Sequence, residues 1–155
     1  MYIHWDGSLE TGHPLVDAEH RLLVLLFRKL DVAIKTRQSA DALGHIVREV
    51  VRCVEFHFLS EENLMRETGY AGLEAHRSLH AELLLELNAY VDKIAHRREY
   101  PEDLLSFLSD WLSQHIAQHD RRVVQHVGTS PLRPIAELAY PEYLGAAPAP
   151  GTKRG

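Results

Sequence analysis

Seven residues of this chain have the types and spacing of a metal-binding set: His20, His57, Glu61, His76, His80, His115 and Asp120. His57 and Glu61 are four residues apart, which on a helix puts both side chains on one face, one turn from each other. His76 and His80 repeat that four-residue step fifteen residues after Glu61. Imidazole nitrogens are the commonest side-chain ligands for transition metals, and a carboxylate with two oxygens adds negative charge and can bridge two ions. Two bridging carboxylates with terminal histidines outside them suit ions about 3.5–4 Å apart. The chain holds 11 histidines, dispersed and not consecutive. The seven residues are therefore read as converging on a pair of metal ions.

Such a set needs a scaffold that brings distant segments together, and the hydrophobic pattern supplies one. Residues 1–16, with Gly7, Gly12 and Pro14, read as an extended arm. Asp17 is the expected cap of a first helix, in which His20, Leu23, Val24, Phe27, Leu30 and Ile34 recur at steps of three and four. A second helix, capped by Asp41, carries Leu43, Ile46, Val47, Val50, Val54, His57, Phe58, Glu61 and Met65 inward and stops at Gly69. A third runs from about Gly72 to Arg97, with Leu73, His76, Leu79, His80, Leu83, Leu84, Leu87, Val91 and Ile94 inward. Pro101 suits the first turn of a fourth, which continues through Leu105, Leu108, Leu112, His115, Ile116, Val123 and Val127 to Gly128. No useful run alternates with period two, so strands are not expected. The expectation is all-α: an antiparallel up-down-up-down four-helix bundle over residues 1–128, with the N-terminal arm at 1–16. Residues 129–155 form a proline-rich extension. Ile135 to Leu144 is expected to pack as a short turn, and Gly145 to Gly155 to be disordered.

Polar residues on the inward faces demand partners. Burying imidazoles and carboxylates without them costs on the order of 1–3 kcal/mol per neutral group and more for a charge. A pair of cations resolves that cost. The step from His115 to Asp120 is irregular, because five residues leave about 140° between side chains on an ideal helix. Both can face inward if the ions lie between them, or if a π-bulge shifts the register. His119, four residues after His115, is the competing ligand, and spacing leaves the two alternatives open. Helical Glu-x-x-His pairs of the ferritin type are absent, since Glu10-x-x-His13 lies in the arm, and so is a His-Glu-x-x-His zinc protease motif. Five histidines with two carboxylates make a nitrogen-rich site of low charge, which favours reversible chemistry.

The remaining composition bounds the function. A length of 155 residues and a hydrophobic fraction of 45% fit one globular domain. A net charge of -5 gives no basic footprint for nucleic acid. No apolar run approaches a membrane span, and the first residues lack the features of a cleaved signal, so the cytoplasm is the expected location. The single cysteine, Cys53, is expected to behave as a small hydrophobe. His4, His13, His45, His96, His119 and His126 are assigned mainly to the surface or to hydrogen bonds between helices.

The pattern resembles the hemerythrin family, most closely its bacterial single-domain members, over residues 3 to about 127. The resemblance lies in Trp5-x3-Leu9-x2-Gly12-x4-Asp17-x2-His20, in His57-Phe58-x2-Glu61, in His76-x3-His80 and in Trp111-Leu112-x2-His115-Ile116-x3-Asp120. It implies two iron ions per chain. His76, His80 and His115 would hold one, and His20 and His57 the other, which keeps an open position for O2. Glu61, Asp120 and a solvent-derived oxo or hydroxo group would bridge them. Leu23, Phe58, Trp111, Leu112 and Ile116 match the apolar wall of the oxygen pocket. The implied function is reversible O2 binding for storage, transport or delivery, with an oxygen-consuming protein as a possible recipient. The alternatives are an oxygen or redox sensor acting through a partner, or a di-iron enzyme that reduces peroxide or nitric oxide.

Overall fold

A computed structural model describes residues 4–97 and 100–139. The expected disordered stretch Gly145 to Gly155, and Leu144 at the end of the expected turn, lie outside the described residues. The first long helix, α1, spans Pro14–Lys35. It is followed by α2 (Ala40–Thr68), α3 (Leu73–Asp92), α4 (Leu104–His115), α5 (Arg121–Thr129) and the short α6 (Ile135–Ala139). A π-helical turn, Ile116–Asp120, joins α4 to α5 so that the two form one rod. A second π-helical turn, Lys93–Arg97, extends α3. No strand occurs among the described residues. The architecture is the expected antiparallel four-helix bundle.

Several boundaries move, each for a local reason. The arm is not wholly extended: Gly7–Leu9 forms a 3-10 turn, with the Asp6 carboxylate accepting from Ser8 N. Helix α1 begins three residues before Asp17, because Pro14 brings a pre-set φ and needs no hydrogen bond for its nitrogen. His13 is the cap, its Nδ1 accepting from Val16 N at 3.5 Å. Asp17 instead ties down the arm, accepting from Thr11 N at 2.8 Å, Thr11 Oγ1 at 2.7 Å and Gly12 N at 3.0 Å. Gly12 takes a φ of 91°, a conformation that favours glycine. Ser39, not Asp41, caps α2 through its hydroxyl. Pro101 precedes α4, in the turn whose carbonyl accepts from Leu104 N, and does not sit inside the helix. Gly69 ends α2 in the left-handed region, as expected.

The core has three layers along the bundle axis. A large apolar cluster fills one end, with Leu30, Leu43, Val47, Leu87, Ile94, Leu104 and Leu108 at its heart. A small one of Val16, Leu64, Met65, Val123 and Val127 fills the other. Between them every helix turns polar. His20 falls between Val16 and Leu23, and Glu61 between Phe58 and Leu64. His76 and His80 fall between Leu73 and Leu83, and His115 and Asp120 between Leu112 and Val123. All seven polar residues of the layer are buried.

Candidate metal centre

The seven residues meet in two groups. Glu61, His76, His80 and His115 form one, and His20, His57 and Asp120 the other; within each, one candidate ligand atom per residue lies within 4.8 Å of all the others. His76 Nε2 lies 3.0 Å from Glu61 Oε2, and His80 Nε2 lies 3.4 Å from the same oxygen. Asp120 spans both groups. Its Oδ1 lies 3.1 Å from His115 Nε2 and 3.4 Å from His76 Nε2, while its Oδ2 lies 3.2 Å from His20 Nε2. The Nε2 atoms of His20 and His57 are 3.2 Å apart, and those of His76 and His115 are 3.0 Å apart.

The π-helical turn explains how His115 and Asp120 both face inward. It inserts the extra residue that an α-helical path would lack, so a five-residue step returns to the same face. Asp120 is fully buried within its group, and His119 is only half-buried and belongs to neither group. The ring of His119 lies 5.1 Å from that of His115.

Two carboxylates outside the expected set hold imidazoles in place. Glu19 Oε2 accepts from His57 Nδ1 at 2.8 Å, and Glu19 Oε1 accepts from Ser60 Oγ at 2.6 Å. Glu62 Oε1 accepts from His80 Nδ1 at 3.0 Å, and Arg77 Nε lies 3.3 Å from its other oxygen. With Nδ1 donating, each of these rings turns a lone pair on Nε2 toward the centre. Neither carboxylate was singled out by the sequence. Their only signal is adjacency, Glu19 beside His20 and Glu62 beside Glu61, and adjacency on a helix does not imply a shared face.

The electrostatics couple the two carboxylates to the imidazoles around them. Burial and the neighbouring Asp120 push the Glu61 carboxyl up, but His76, His80 and His57 outweigh them and hold it below the usual range. Burial also opposes ionisation of Asp120, yet His115, His20 and His76 hold it well below the usual carboxylate range. Burial disfavours a charged His76, but Asp120 and Glu61 raise it to about 9. Burial dominates at His80 and lowers it.

The residues fit a metal centre by a direct criterion. His80 Nε2 and all four carboxylate oxygens of Glu61 and Asp120 face the centre and are buried with no aligned hydrogen-bond partner. Buried polar atoms are normally paired, and unpaired ones are expensive. Ligand atoms turned toward a cation are the arrangement in which such atoms gain partners without protons.

The apolar residues expected around the site are close to it. Phe58 stacks on His80 with ring centroids 3.6 Å apart and planes 3° from parallel. Trp111 stacks on His115 at 4.3 Å and 15°. Leu23, Leu112 and Ile116 are buried in the large cluster that borders the polar layer. A groove of about 460 Å³ between α2 and α3 is lined by Phe58 and His80 together with Leu59, Glu62, Arg77 and Leu84. Of the five expected wall residues only Phe58 lines it.

Fold and centre together define a helical-bundle protein with a buried layer of histidines and carboxylates that could hold a cation, and comparison with known proteins gives the family. The family profile described as "Hemerythrin HHE cation binding domain" matches residues 11–127. The bacteriohemerythrin of Stenotrophomonas maltophilia (strain R551-3) is 31% identical over 123 residues, covering 79% of this chain and 80% of that relative. The bacteriohemerythrin of Pseudomonas aeruginosa (strain LESB58) is 28% identical over 126 residues, covering 81% of this chain and 82% of the relative. A solved structure described as wild-type hemerythrin is 25% identical and superposes with a TM-score of 0.74, covering 81% of this chain and 97% of that one. The chain belongs to the hemerythrin HHE cation-binding family. Among the described residues, no helix is long and apolar enough to cross a membrane.

Proposed function

We propose that this chain holds two iron ions and binds O2 reversibly, as a store, carrier or delivery agent for oxygen in the cytoplasm. His76, His80 and His115 hold one ion, and His20 and His57 the other. Glu61 and Asp120 bridge them, and a solvent-derived group completes the bridge. A pair of ferrous ions held there would supply the two electrons that reversible O2 binding needs, and the His20 and His57 side, with fewer histidines, is where O2 would bind.

The observation that carries this reading is the polar layer itself, with its unpaired ligand atoms sealed between two apolar clusters. The position of Asp120 between the two groups supports its role as a bridge. The bridging role of Glu61 is supported by both its oxygens being buried without an aligned hydrogen-bond partner. Glu19 and Glu62 keep the rings of His57 and His80 oriented, so the ligands need not reorganise when an ion enters. Phe58, Trp111, Leu23, Leu112 and Ile116 keep water and protons away, and their exclusion is what makes oxygen uptake reversible.

The test is spectroscopic. The reduced, iron-loaded protein should develop a charge-transfer band on exposure to O2, and the band should vanish under vacuum over repeated cycles. Immediate irreversible oxidation with turnover of peroxide or nitric oxide would instead identify an enzyme. The ligand set is tested by His57→Ala, which should bind fewer than two irons per chain. Two irons retained in that variant would sink the assignment.

A further inference from the structure

The π-helical turn Ile116–Asp120 is an uncommon way to present a carboxylate. An uninterrupted α-helix would present His119, four residues after His115, on the inward face instead. His119 is close enough to compete, its ring 6.0 Å from that of His76 and 5.1 Å from that of His115. Some interaction must favour the register that brings Asp120 inward.

Arg121 is placed to supply it. Its backbone N–H donates to Ile116 O, the five-residue bond that closes the π turn. Its guanidinium reaches back more than a hundred residues to the N-terminal arm. Nη2 donates to Ser8 O at 2.5 Å, and Nε donates to Glu10 O at 3.3 Å. The arm is itself anchored. Asp17 holds Thr11 and Gly12, Leu9 is buried in the large apolar cluster, and Arg21 lies 4.7 Å over the Trp5 ring. The rigid fork of arginine suits two carbonyls at once, which a single ammonium matches less well.

We propose that the N-terminal arm is a register lock for the metal-binding turn, acting through Arg121. The arm fixes the guanidinium, the guanidinium fixes the residue that closes the π turn, and the closed turn keeps Asp120 inward and His119 outward. Arg121 is thus a positioning residue. The proposal rests on Asp120 being a ligand. Release of the lock lets the segment return toward the α-helical register, which carries Asp120 off the centre and turns His119 toward it.

The test uses the full chain with Arg121→Ala, Arg121→Lys, Asp17→Ala and the double substitution. Amide hydrogen exchange is followed in the metal-free protein, and ferrous iron affinity is measured separately. Arg121→Ala and Asp17→Ala should each speed exchange at the Arg121 amide by about tenfold, while amides of the large apolar cluster stay protected. The double variant should be no faster than the quicker single one, because both release the same arm. Ferrous affinity should fall by about tenfold in Arg121→Ala and recover in part in Arg121→Lys. Unchanged exchange, uniform acceleration throughout the bundle, or additive effects of the two substitutions would each overturn the lock. Asp120→Ala separates the two claims: if it keeps two irons, the ligand reading fails whatever the exchange shows. If it loses iron while Arg121→Ala leaves exchange untouched, the lock alone fails.

Discussion

The large apolar cluster and the polar layer beside it are built from the same helices but balance their energies differently. In the cluster, Leu30, Leu43, Val47, Leu87, Ile94 and Leu104 are fully buried, and each gains from leaving water. In the layer, five imidazoles and two carboxylates are also buried, and six of their polar atoms have no aligned partner. The first region stabilises the fold whatever is bound. The second, on the proposed reading, costs stability until a cation occupies it. The bundle therefore tolerates its centre because apolar layers on both sides carry the folding free energy.

The sharpest way to break this contrast is to remove the metal. The iron-loaded protein should unfold at a higher temperature than chelator-stripped protein. The gain should approach about 4 kcal/mol per ion bound when free ion exceeds the dissociation constant a thousandfold. Equal stability of the two forms by calorimetry would show that the polar layer is satisfied without an ion. A smaller effect is expected in the other region. Leu87→Ala should cost roughly 3 kcal/mol through lost transfer energy and a residual cavity. It should still bind two irons per chain, because Leu87 lies in the apolar cluster away from the layer. Loss of iron in that variant would show that the two regions are coupled.

The layering explains which features were legible in the sequence. Apolar residues at steps of three and four mark the inward faces directly, so the four helices and most of the core follow from periodicity, while Val16, Leu64 and Leu104 are buried outside the faces it marked. The seven polar residues stand out because they interrupt those faces. Residues that act by orienting another side chain leave no such mark. Glu19 and Glu62 face their histidines across helix boundaries, at sequence separations of 38 and 18, and look like ordinary surface acids. The competition between Asp120 and His119 could not be resolved by spacing, because it depends on a π turn whose closure involves an arm far away in sequence. Helix starts moved for a related reason. Asp17 has the right type for a cap, but Pro14 begins the helix earlier and leaves that carboxylate free to bind Thr11 and Gly12.

His13 extends the contrast to a buried imidazole outside the centre. It is buried near the small apolar cluster, and its Nε2 has no hydrogen-bond partner, the nearest carboxylate oxygen being Glu137 Oε1 at 3.8 Å. Among the described residues no candidate cation group includes it, so its burial is settled by protons. Burial lowers its affinity for a proton, and the charges of Glu137, Asp17 and Glu19 only partly offset this. The sign follows from linkage. A histidine whose pKa is lower in the folded than in the unfolded state leaves the unfolded chain binding more protons once the pH drops below about 6.5. Stability therefore falls as the pH drops through that value, and the fall levels off below the folded pKa. His13→Asn keeps an acceptor at the cap of α1 and removes the titrating group. Denaturant unfolding of metal-free protein between pH 8 and pH 5 should show a shallower loss of stability in His13→Asn than in the parent chain. Parallel curves would mean that the His13 ring is protonated as readily inside the fold as outside it. Glu137 would then be a full partner to a charged imidazole, and this part of the small cluster would resemble the metal layer in needing a counter-charge.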